Sequence, residues 1–248
     1  MSKVLIFTAT YEEVENIGAW IRETAKACPD TDILIVDDSS PDGTGELISD
    51  LQVAFPQITL ITRAGKTGLN TAHVLAMAYA SEHEYDVLVT MDADGSHQPR
   101  QIPLLLERLQ HNDVDFVIGT RSAGGTHQAK LSRRVLSRGA NTAARVLLPV
   151  GITEYTTSFR AFNPTALDVL NRAEFSSSGY AFFIECIEIL HRAGVRFAEV
   201  PIDFMDRTGG RSKIPKSQIF SSMIALVLLA VSRRFAESDQ KATSSLRQ

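Results

Sequence analysis

Cysteine is scarce in this chain of 248 residues, which contains only Cys28 and Cys186. The two lie far apart in helix-like stretches, and neither has a partner at metal-ligand spacing. This argues against a disulfide framework and against a cysteine-based metal site. We expect both to be reduced thiols in the core of a cytosolic protein.

Apolar runs long enough to cross a bilayer are also lacking, since the run over residues 219–231 falls short of the ~20 residues required. This run predicts either a helix lying on a membrane surface or a core helix packed on a sheet. Pro215 suits its first turn. Four basic residues flank it: Lys213, Lys216, Arg233 and Arg234. The chain opens with an apolar strand pattern over residues 3–7 and no basic leader, so we expect a cytoplasmic protein.

Acidic residues are missing from two stretches, although the net charge is −4. Residues 116–153 and 207–236 contain no Asp or Glu and six Lys or Arg each. Solvated helix faces would explain one such stretch, but two favour contact with phosphate groups or a membrane. We expect an anionic partner of that kind, and no nucleic acid.

Short β-rich runs alternate with helical patterns over the first half of the chain. This alternation predicts an α/β fold with a doubly wound, mostly parallel sheet. The predicted strands are Val4–Phe7, Ile33–Val36, Ile58–Ile61, Val87–Met91 and Phe116–Ile118. Beyond Gly119 we expect a basic helix near residues 131–148, a Ser/Thr-rich turn, a helix near 180–192 and two short strands around 196–204. Residues 1–236 are predicted to form one domain, and 237–248 a disordered tail.

The segment over residues 87–97 is the most informative, because an apolar strand pattern breaks directly into Asp92-Ala-Asp94. Ligands bind at the carboxyl ends of strands in such sheets. Two carboxylates one residue apart can share a hard cation such as Mg²⁺, which leaves other positions to water and substrate phosphate. Taken alone, the motif is also typical of a solvated turn or a helix N-cap.

Three more polar loops follow predicted strands and should meet at the same edge of the sheet. Tyr11 and Glu13 follow the first strand, and Asp37 and Asp38 follow the second. The third strand leads into a loop, 63–69, whose glycines allow close backbone approach and which carries Lys66. These loops predict a nucleotide site beside the Asp-x-Asp motif.

Several short motifs support this interpretation through their order and spacing. They are Tyr11-Glu12-Glu13 with Glu15-Asn16-Ile17, residues 36–44, Gly65–Leu69, Met91–His97, Gly119-Thr-Arg121, Leu136–Asn141, Gly179-Tyr180 with Ile184-Glu185, and Arg207 with Lys213. Together they resemble the GT-A nucleotide-sugar glycosyltransferases of family 2, and within them the dolichyl- or polyprenyl-phosphate mannose synthases. The resemblance covers almost the whole chain.

The resemblance implies a GT-A, Rossmann-like fold with C-terminal amphipathic interface helices. Residues 1–119 would form the nucleotide-sugar half, and 120–236 the half that faces the acceptor and the membrane. A bound Mg²⁺ or Mn²⁺ is implied at Asp92, Asp94 and Ser96. The nucleotide would lie near Asp92 and four further residues: Tyr11, Glu13, Asp38 and Lys66. Donor and acceptor phosphates would face Arg121, Arg133, Arg207 and Lys213, with Asp94 also counted as catalytic.

The implied reaction is the inverting, metal-dependent transfer of a hexose, with mannose from GDP-mannose expected, to a polyprenyl or dolichyl phosphate. We expect peripheral attachment at the cytoplasmic face of a membrane, with a separate anchoring protein as a candidate partner. Three alternatives stay open: UDP-glucose or another nucleotide sugar with a lipid-phosphate or saccharide acceptor, a non-catalytic nucleotide-sugar-binding subunit, and a sugar nucleotidyltransferase. The last should carry a Gly-rich basic loop after the first strand, where this chain has the acidic segment 11–15.

Three other residues near these motifs carry expectations of their own. Glu185, among apolar neighbours, should either pair with an arginine near the site or point outward. His97 is either a metal ligand or a helix-start residue. Tyr180 should pack in the core and border the acceptor path.

Overall fold

The computed structural model describes residues 2–122, 124–127, 139, 141–142, 144–146, 148 and 150–205. The strands are β1 (Val4–Thr10), β2 (Asp32–Asp37), β3 (Ile58–Thr62), β4 (Val87–Thr90), β5 (Phe116–Thr120), β6 (Thr126–His127), β7 (Arg160–Phe162), β8 (Phe197–Pro201) and β9 (Asp203–Phe204). The helices are α1 (Val14–Ala27), α2 (Thr44–Gln52), α3 (Leu69–Glu82), α4 (Ile102–Leu109), α5 (Pro164–Asn171) and α6 (Tyr180–Arg192). A 3₁₀ turn, Pro99–Gln101, precedes α4, and residues 141–142 and 144–146 are also helical.

Seven strands form one sheet in the order β3-β2-β1-β4-β7-β5-β8. All neighbours pair in parallel except β7, which runs antiparallel between β4 and β5. The predicted α/β fold and mostly parallel sheet are therefore confirmed. Strand β7 was not predicted, because three residues that include Arg160 are too short to show a period. Strands β6 and β9 pair separately.

Register brings the polar loops together at one edge of the sheet. Thr10 at the end of β1 pairs with Asp37 at the end of β2, and Phe7 pairs with Thr90 at the end of β4. The segments that leave these strands therefore emerge side by side, as the carboxyl ends of parallel strands do. This edge carries the candidate site.

Helices cover both faces of the sheet, so the strands are apolar on both sides. Leu5 and Phe7 of β1 pack on one face, where α3 presents the small side chains of Ala72 and Ala76. The alternate residues Val4 and Ile6 face the other side and pack against α1. Burying each large apolar side chain contributes roughly 1.5–3 kcal/mol, which makes this framework a stiff support for the loops.

Both cysteines are buried free thiols, as predicted. Burial raises the pKa of Cys28 to about 11 and that of Cys186 to about 12, so both stay protonated at neutral pH. No helix in the described part of the chain is both long enough and apolar enough to span a membrane. The helix predicted over 219–231, at a membrane surface or in the core, and the tail predicted over 237–248 lie outside the described residues.

Candidate active site

A pocket of about 360 Å³ opens at the carboxyl edge of the sheet. The loops after β1, β2, β3, β4 and β5 all contribute to its wall. Seven residues predicted from the sequence line it: Tyr11, Glu13, Asp38, Lys66, Asp92, Asp94 and Arg121. The predictions that Arg133, Arg207 and Lys213 face it concern residues outside the described part of the chain.

Two carboxylates line the pocket, and each accepts a hydrogen bond from a serine hydroxyl. Ser158 Oγ donates to Asp92 Oδ1 at 2.6 Å. Ser96 donates to Asp94 Oδ1 through Oγ at 2.5 Å and through its backbone N–H at 3.0 Å. Asp94 is buried, whereas the side chain of Asp92 is 38% exposed. Ser96 is 1% exposed, and its hydroxyl orients the carboxylate of Asp94.

His97 is buried and is hydrogen-bonded to the turn that carries the two carboxylates. Its Nδ1 accepts the backbone N–H of Asp92 at 3.1 Å, so the ring proton resides on Nε2, which lies 3.1 Å from Thr157 Oγ1. Burial lowers the pKa of His97, which favours this neutral form. Neither expected role fits these contacts, since both nitrogens are engaged within the protein and the 3₁₀ turn that follows receives no side-chain cap.

The side of the pocket after β2 and β3 contains an ion pair that the sequence motifs did not assign. Arg63, which directly follows β3, places Nε and Nη2 each 2.5 Å from Asp38 Oδ1. Its guanidinium also donates to Thr71 Oγ1 and to the carbonyl of Gly68. The neighbouring Asp37 is used within the fold, where it accepts from nearby hydroxyl and backbone groups. Asp38 therefore enters the pocket wall in a fixed orientation.

Tyr11 and Lys66 meet across the same side of the pocket. Lys66 Nζ lies 4.3 Å from the centroid of the Tyr11 ring, within the range of a cation–π contact. Glu13 Oε2 accepts from Asn16 Nδ2 at 2.7 Å. Gly68, with a φ of +104°, precedes α3 and lets the Lys66 loop turn back towards Tyr11.

Arg121 forms the opposite wall, at the end of β5. Its Nε and Nη2 each lie 2.8 Å from an oxygen of Glu154, and Nη2 also donates to Thr156 Oγ1 at 3.0 Å. The ring of Phe204 lies 4.8 Å from the guanidinium carbon. Glu154 is fully buried and was missed in the sequence, because no local pattern reveals a partner 33 residues away.

The loop that carries Thr156, Thr157 and Ser158 is held by the buried Arg160. This guanidinium donates to the carbonyls of Thr157, Tyr155 and Phe183 at 2.8, 2.9 and 3.1 Å. Burial lowers the pKa of Arg160 to about 10, which leaves it charged at neutral pH. The loop that orients Asp92 is therefore rigidly attached to α6.

A comparison with protein families identifies the family of this chain. The model of the family described as "Glycosyl transferase family 2" matches residues 5–170, which include both carboxylates and Arg121. This chain is a family-2 glycosyltransferase. The family predicted from the motifs is thereby confirmed.

Two curated relatives cover most of the transferase. An undecaprenyl-phosphate mannosyltransferase from Micrococcus luteus is 36% identical over 86% of this chain and 87% of its own length. A polyprenol monophosphomannose synthase from Mycolicibacterium smegmatis is 38% identical over 89% of this chain and 84% of its own length.

Solved structures agree on the GT-A fold of the transferase. A glucosyl-3-phosphoglycerate synthase from Mycobacterium tuberculosis, in complex with Mn²⁺, UDP and glucosyl-3-phosphoglycerate, has a TM-score of 0.67 and 16% identity, covering 94% of this chain and 80% of the other. A mannosyltransferase from Pyrobaculum calidifontis, in complex with GDP-Man and Mn²⁺, has a TM-score of 0.58 and 16% identity, covering 99% and 80%. At this identity the likeness concerns the fold.

The expectation for Glu185 of the transferase was wrong in both of its forms. Among the residues that the structure describes it pairs with no arginine, and at 5% exposure it does not point outward. Its two oxygens accept from the Ser176 N–H, the Ser176 hydroxyl and the Ser177 N–H at 2.7–3.0 Å. These bonds offset the cost of burying the carboxylate and fix the loop before α6. The expectation for the Tyr180 side chain lies outside what the structure describes.

Proposed function

We propose that this transferase moves a mannosyl residue from GDP-mannose to a polyprenyl phosphate, with inversion at the anomeric carbon. One observation carries the proposal: Asp92 and Asp94 lie in a single pocket between a wall suited to a nucleotide and a wall formed by Arg121. A donor diphosphate at the carboxylates would have its base on one side and an acceptor on the other. Both curated relatives are named for mannose and a polyprenyl phosphate, which supports the choice of sugar and acceptor.

The central carboxylates suit a hard divalent cation. Among the described residues no group of three or more His, Cys, Asp and Glu side chains could enclose a metal. Two carboxylates with open positions for water and phosphate are instead typical of Mg²⁺ and Mn²⁺ sites that are completed by substrate. We propose that Asp92 and Asp94 hold the ion, with Ser96 orienting Asp94. When bound, the ion would stabilise negative charge on the leaving diphosphate.

The nucleotide wall contributes binding through fixed groups. Tyr11 presents an aromatic face, Asp38 is oriented by Arg63, and Lys66 provides positive charge beside the ring. An aromatic face can stack on a base, and a carboxylate accepts hydrogen bonds from base or ribose groups. We propose that Glu13 borders the same subsite.

A phosphate acceptor explains why the reaction needs no general base. A phosphate monoester, with a second pKa near ~6, is already an anionic nucleophile at neutral pH. What the protein must supply is positive charge that brings two phosphorylated substrates together. Arginine suits this task because its planar fork binds two phosphate oxygens at once. We propose that Arg121, whose Nε and Nη2 are held by Glu154, supplies part of this positive charge, joined by Arg133, Arg207 and Lys213.

Peripheral contact with a membrane would deliver such an acceptor. The helical residues Arg145 and Val146 are both exposed, Val146 to 76%. They lie in the acid-free stretch over 116–153, which also suits anionic headgroups. We propose attachment at the cytoplasmic face, with a separate anchoring protein as a candidate partner.

Donor, acceptor class and metal use can be tested in one experiment. The purified chain is incubated with Mn²⁺ or Mg²⁺ and radiolabelled GDP-mannose or UDP-glucose, with and without a short polyprenyl phosphate, and label is counted in the organic phase. We expect lipid-linked label from GDP-mannose only. Asp94→Asn should lower it by on the order of a hundredfold or more.

The matched control is Asp113→Asn, because Asp113 is exposed and pairs with Arg108 away from the pocket. It should leave transfer unchanged. Lipid-linked label from UDP-glucose would contradict the proposal that GDP-mannose is the donor. If calorimetry shows metal-dependent nucleotide binding but neither donor gives lipid-linked label, the proposal that the acceptor is a polyprenyl phosphate is contradicted.

A further inference from the structure

Glu154 is a fully buried carboxylate that is bonded to two side chains of the pocket wall, those of Arg121 and Thr156. Five hydrogen bonds converge on it. The donors are Arg121 Nε and Nη2, Asn141 Nδ2, and the backbone N–H and hydroxyl of Thr156, at 2.8–3.0 Å. They come from three separate segments of the chain. The carboxylate is therefore fixed from all of these segments at once.

The backbone that carries Glu154 is fixed as well. Glu199 Oε1, on β8, accepts from the Thr153 N–H, the Thr153 hydroxyl and the Glu154 N–H, each at 2.9 Å. Asn141 Oδ1 accepts the Tyr155 N–H at 3.0 Å. Arg121 and the hydrogen bonds hold the pKa of Glu154 down to about 2 despite its burial, so it is ionised at neutral pH.

Arg121 gains its orientation from this carboxylate. Two parallel N–H···O bonds define both the place and the plane of a guanidinium, which one bond would not do. Its side chain is 10% exposed at the wall of the pocket. It lies on the side opposite Asp38, since β7 and β4 separate β5 from β1 and β2 in the sheet. An acceptor phosphate that enters beside the donor would meet this wall.

We propose that Glu154 is a positioning residue that fixes the guanidinium of Arg121 for the acceptor phosphate before the substrates bind. The proposal rests on the proposed function, because it takes the acceptor to be a phosphate. Asn141 adds a connection from the helical residues 141–142 and 144–146 to the same carboxylate. Through it, the segment proposed to touch the membrane is joined to the group proposed to bind the lipid phosphate.

Charge and position make opposite predictions for Glu154→Gln. The substitution removes a negative charge beside Arg121, so electrostatics alone would tighten binding of an anionic acceptor. It also replaces one oxygen of the fork by an amide that repels the guanidinium N–H groups, which displaces Arg121. A positioning role therefore predicts weaker binding. Displacement of a reacting group by about 1 Å can cost on the order of a hundredfold in rate.

The test uses the full chain with Glu154→Gln and Glu154→Asp. Binding of a short isoprenyl phosphate is measured by calorimetry, which needs no turnover, and KM is measured for each substrate. We expect acceptor affinity and acceptor kcat/KM to fall about ten- to hundredfold in Glu154→Gln, with donor KM within about twofold of wild type. Glu154→Asp keeps the charge, so its acceptor affinity and acceptor kcat/KM should lie between those of the wild type and those of Glu154→Gln.

The matched control is Asp115→Asn. Asp115 also forms a bidentate pair, with Arg196, but it precedes β5 at the opposite end of the strand from Arg121. It should lower the melting temperature without changing acceptor affinity. Adding Glu154→Gln to Arg121→Met should cost no further activity if Glu154 acts through Arg121.

Folded Glu154→Gln or Glu154→Asp with unchanged or tighter acceptor binding would overturn the proposal, as would losses that multiply in the double variant. If Glu154→Gln does not fold, the acceptor affinity of Glu154→Asp tests the proposal instead. Failure of the wild type to bind isoprenyl phosphate would overturn it too. Weaker binding in the variants, with no mannosyl transfer by the wild type, would refute the proposed function and leave the positioning role standing.

Discussion

The hydroxyl of Ser158 offers a sharp test of the carboxylate pair, because it can be removed without disturbing its loop. Ser158 Oγ donates to Asp92 Oδ1 at 2.6 Å. The backbone at the same position is held separately, since the Ser158 carbonyl accepts from Thr90 Oγ1 at 2.5 Å. Ser158→Ala therefore deletes one charge-assisted hydrogen bond and leaves the fold around it in place.

The free energy lost in Ser158→Ala depends on the charge of the partner, Asp92, and on how exposed that carboxylate is. A hydrogen bond to a charged group contributes roughly 1.5–3 kcal/mol. Because the side chain of Asp92 is 38% exposed, water can replace part of the lost bond, which favours the lower limit. About 1.5 kcal/mol corresponds to roughly a tenfold change in a binding constant. We therefore predict about tenfold weaker Mn²⁺ binding in Ser158→Ala.

Mn²⁺ affinity is measured by calorimetry in the presence of GDP, and the Mn²⁺ concentration for half-maximal transfer provides a second measure. Ser49→Ala is the control, because the Ser49 hydroxyl donates to the Gly45 carbonyl within α2, away from the pocket. Equal Mn²⁺ affinity in wild type and a folded Ser158→Ala would refute the view that Ser158 orients a metal-binding carboxylate.

Two further predictions concern steric fit and pH. Gly125→Ala should destabilise the protein by about 1–3 kcal/mol, because an added Cβ would lie 2.2 Å from the Thr120 carbonyl oxygen. Thermal melts check this, with Gly139→Ala as the control, since a Cβ added there meets no atom of the described residues within 4 Å. Hydrogen bonds from Arg196 lower the pKa of Asp115 to about 2, so this pair stabilises the fold above pH ~4 and loses its effect as pH falls towards 2. Urea unfolding of Asp115→Asn should therefore show a deficit of about 1–2 kcal/mol at pH 7 that shrinks below pH 4, and a deficit independent of pH would contradict the assignment.

The sheet could be predicted from the sequence because its strands are buried on both faces and therefore appear as short apolar runs. All five strands expected in the first half are present, and the helix expected near 180–192 is α6. The loops of the site could be predicted from the sequence as well. Polar residues directly after parallel strands must meet at one edge, and Tyr11, Asp38 and Asp94 do so.

Tertiary partners could not be predicted in this way. Arg63 was visible within a motif, but its pairing with Asp38 depends on the adjacency of β2 and β3. Glu154 follows a stretch without acids and looks like an isolated surface charge until β5 brings Arg121 beside it. Glu185 likewise satisfies its charge with backbone N–H groups, which no side-chain pattern records. Buried charges are thus the part of the site that sequence patterns leave undetermined.

The central claim, that the nucleophile is a phosphate monoester, is tested most directly by comparing two acceptors with the same isoprenyl chain. The protein is given labelled GDP-mannose, Mn²⁺ and either the isoprenyl monophosphate or the free alcohol, and lipid-linked label is counted. We predict efficient transfer to the monophosphate and background label with the alcohol, because the pocket supplies arginine for an anionic acceptor. Label on the alcohol at a rate equal to that of the monophosphate would contradict the account.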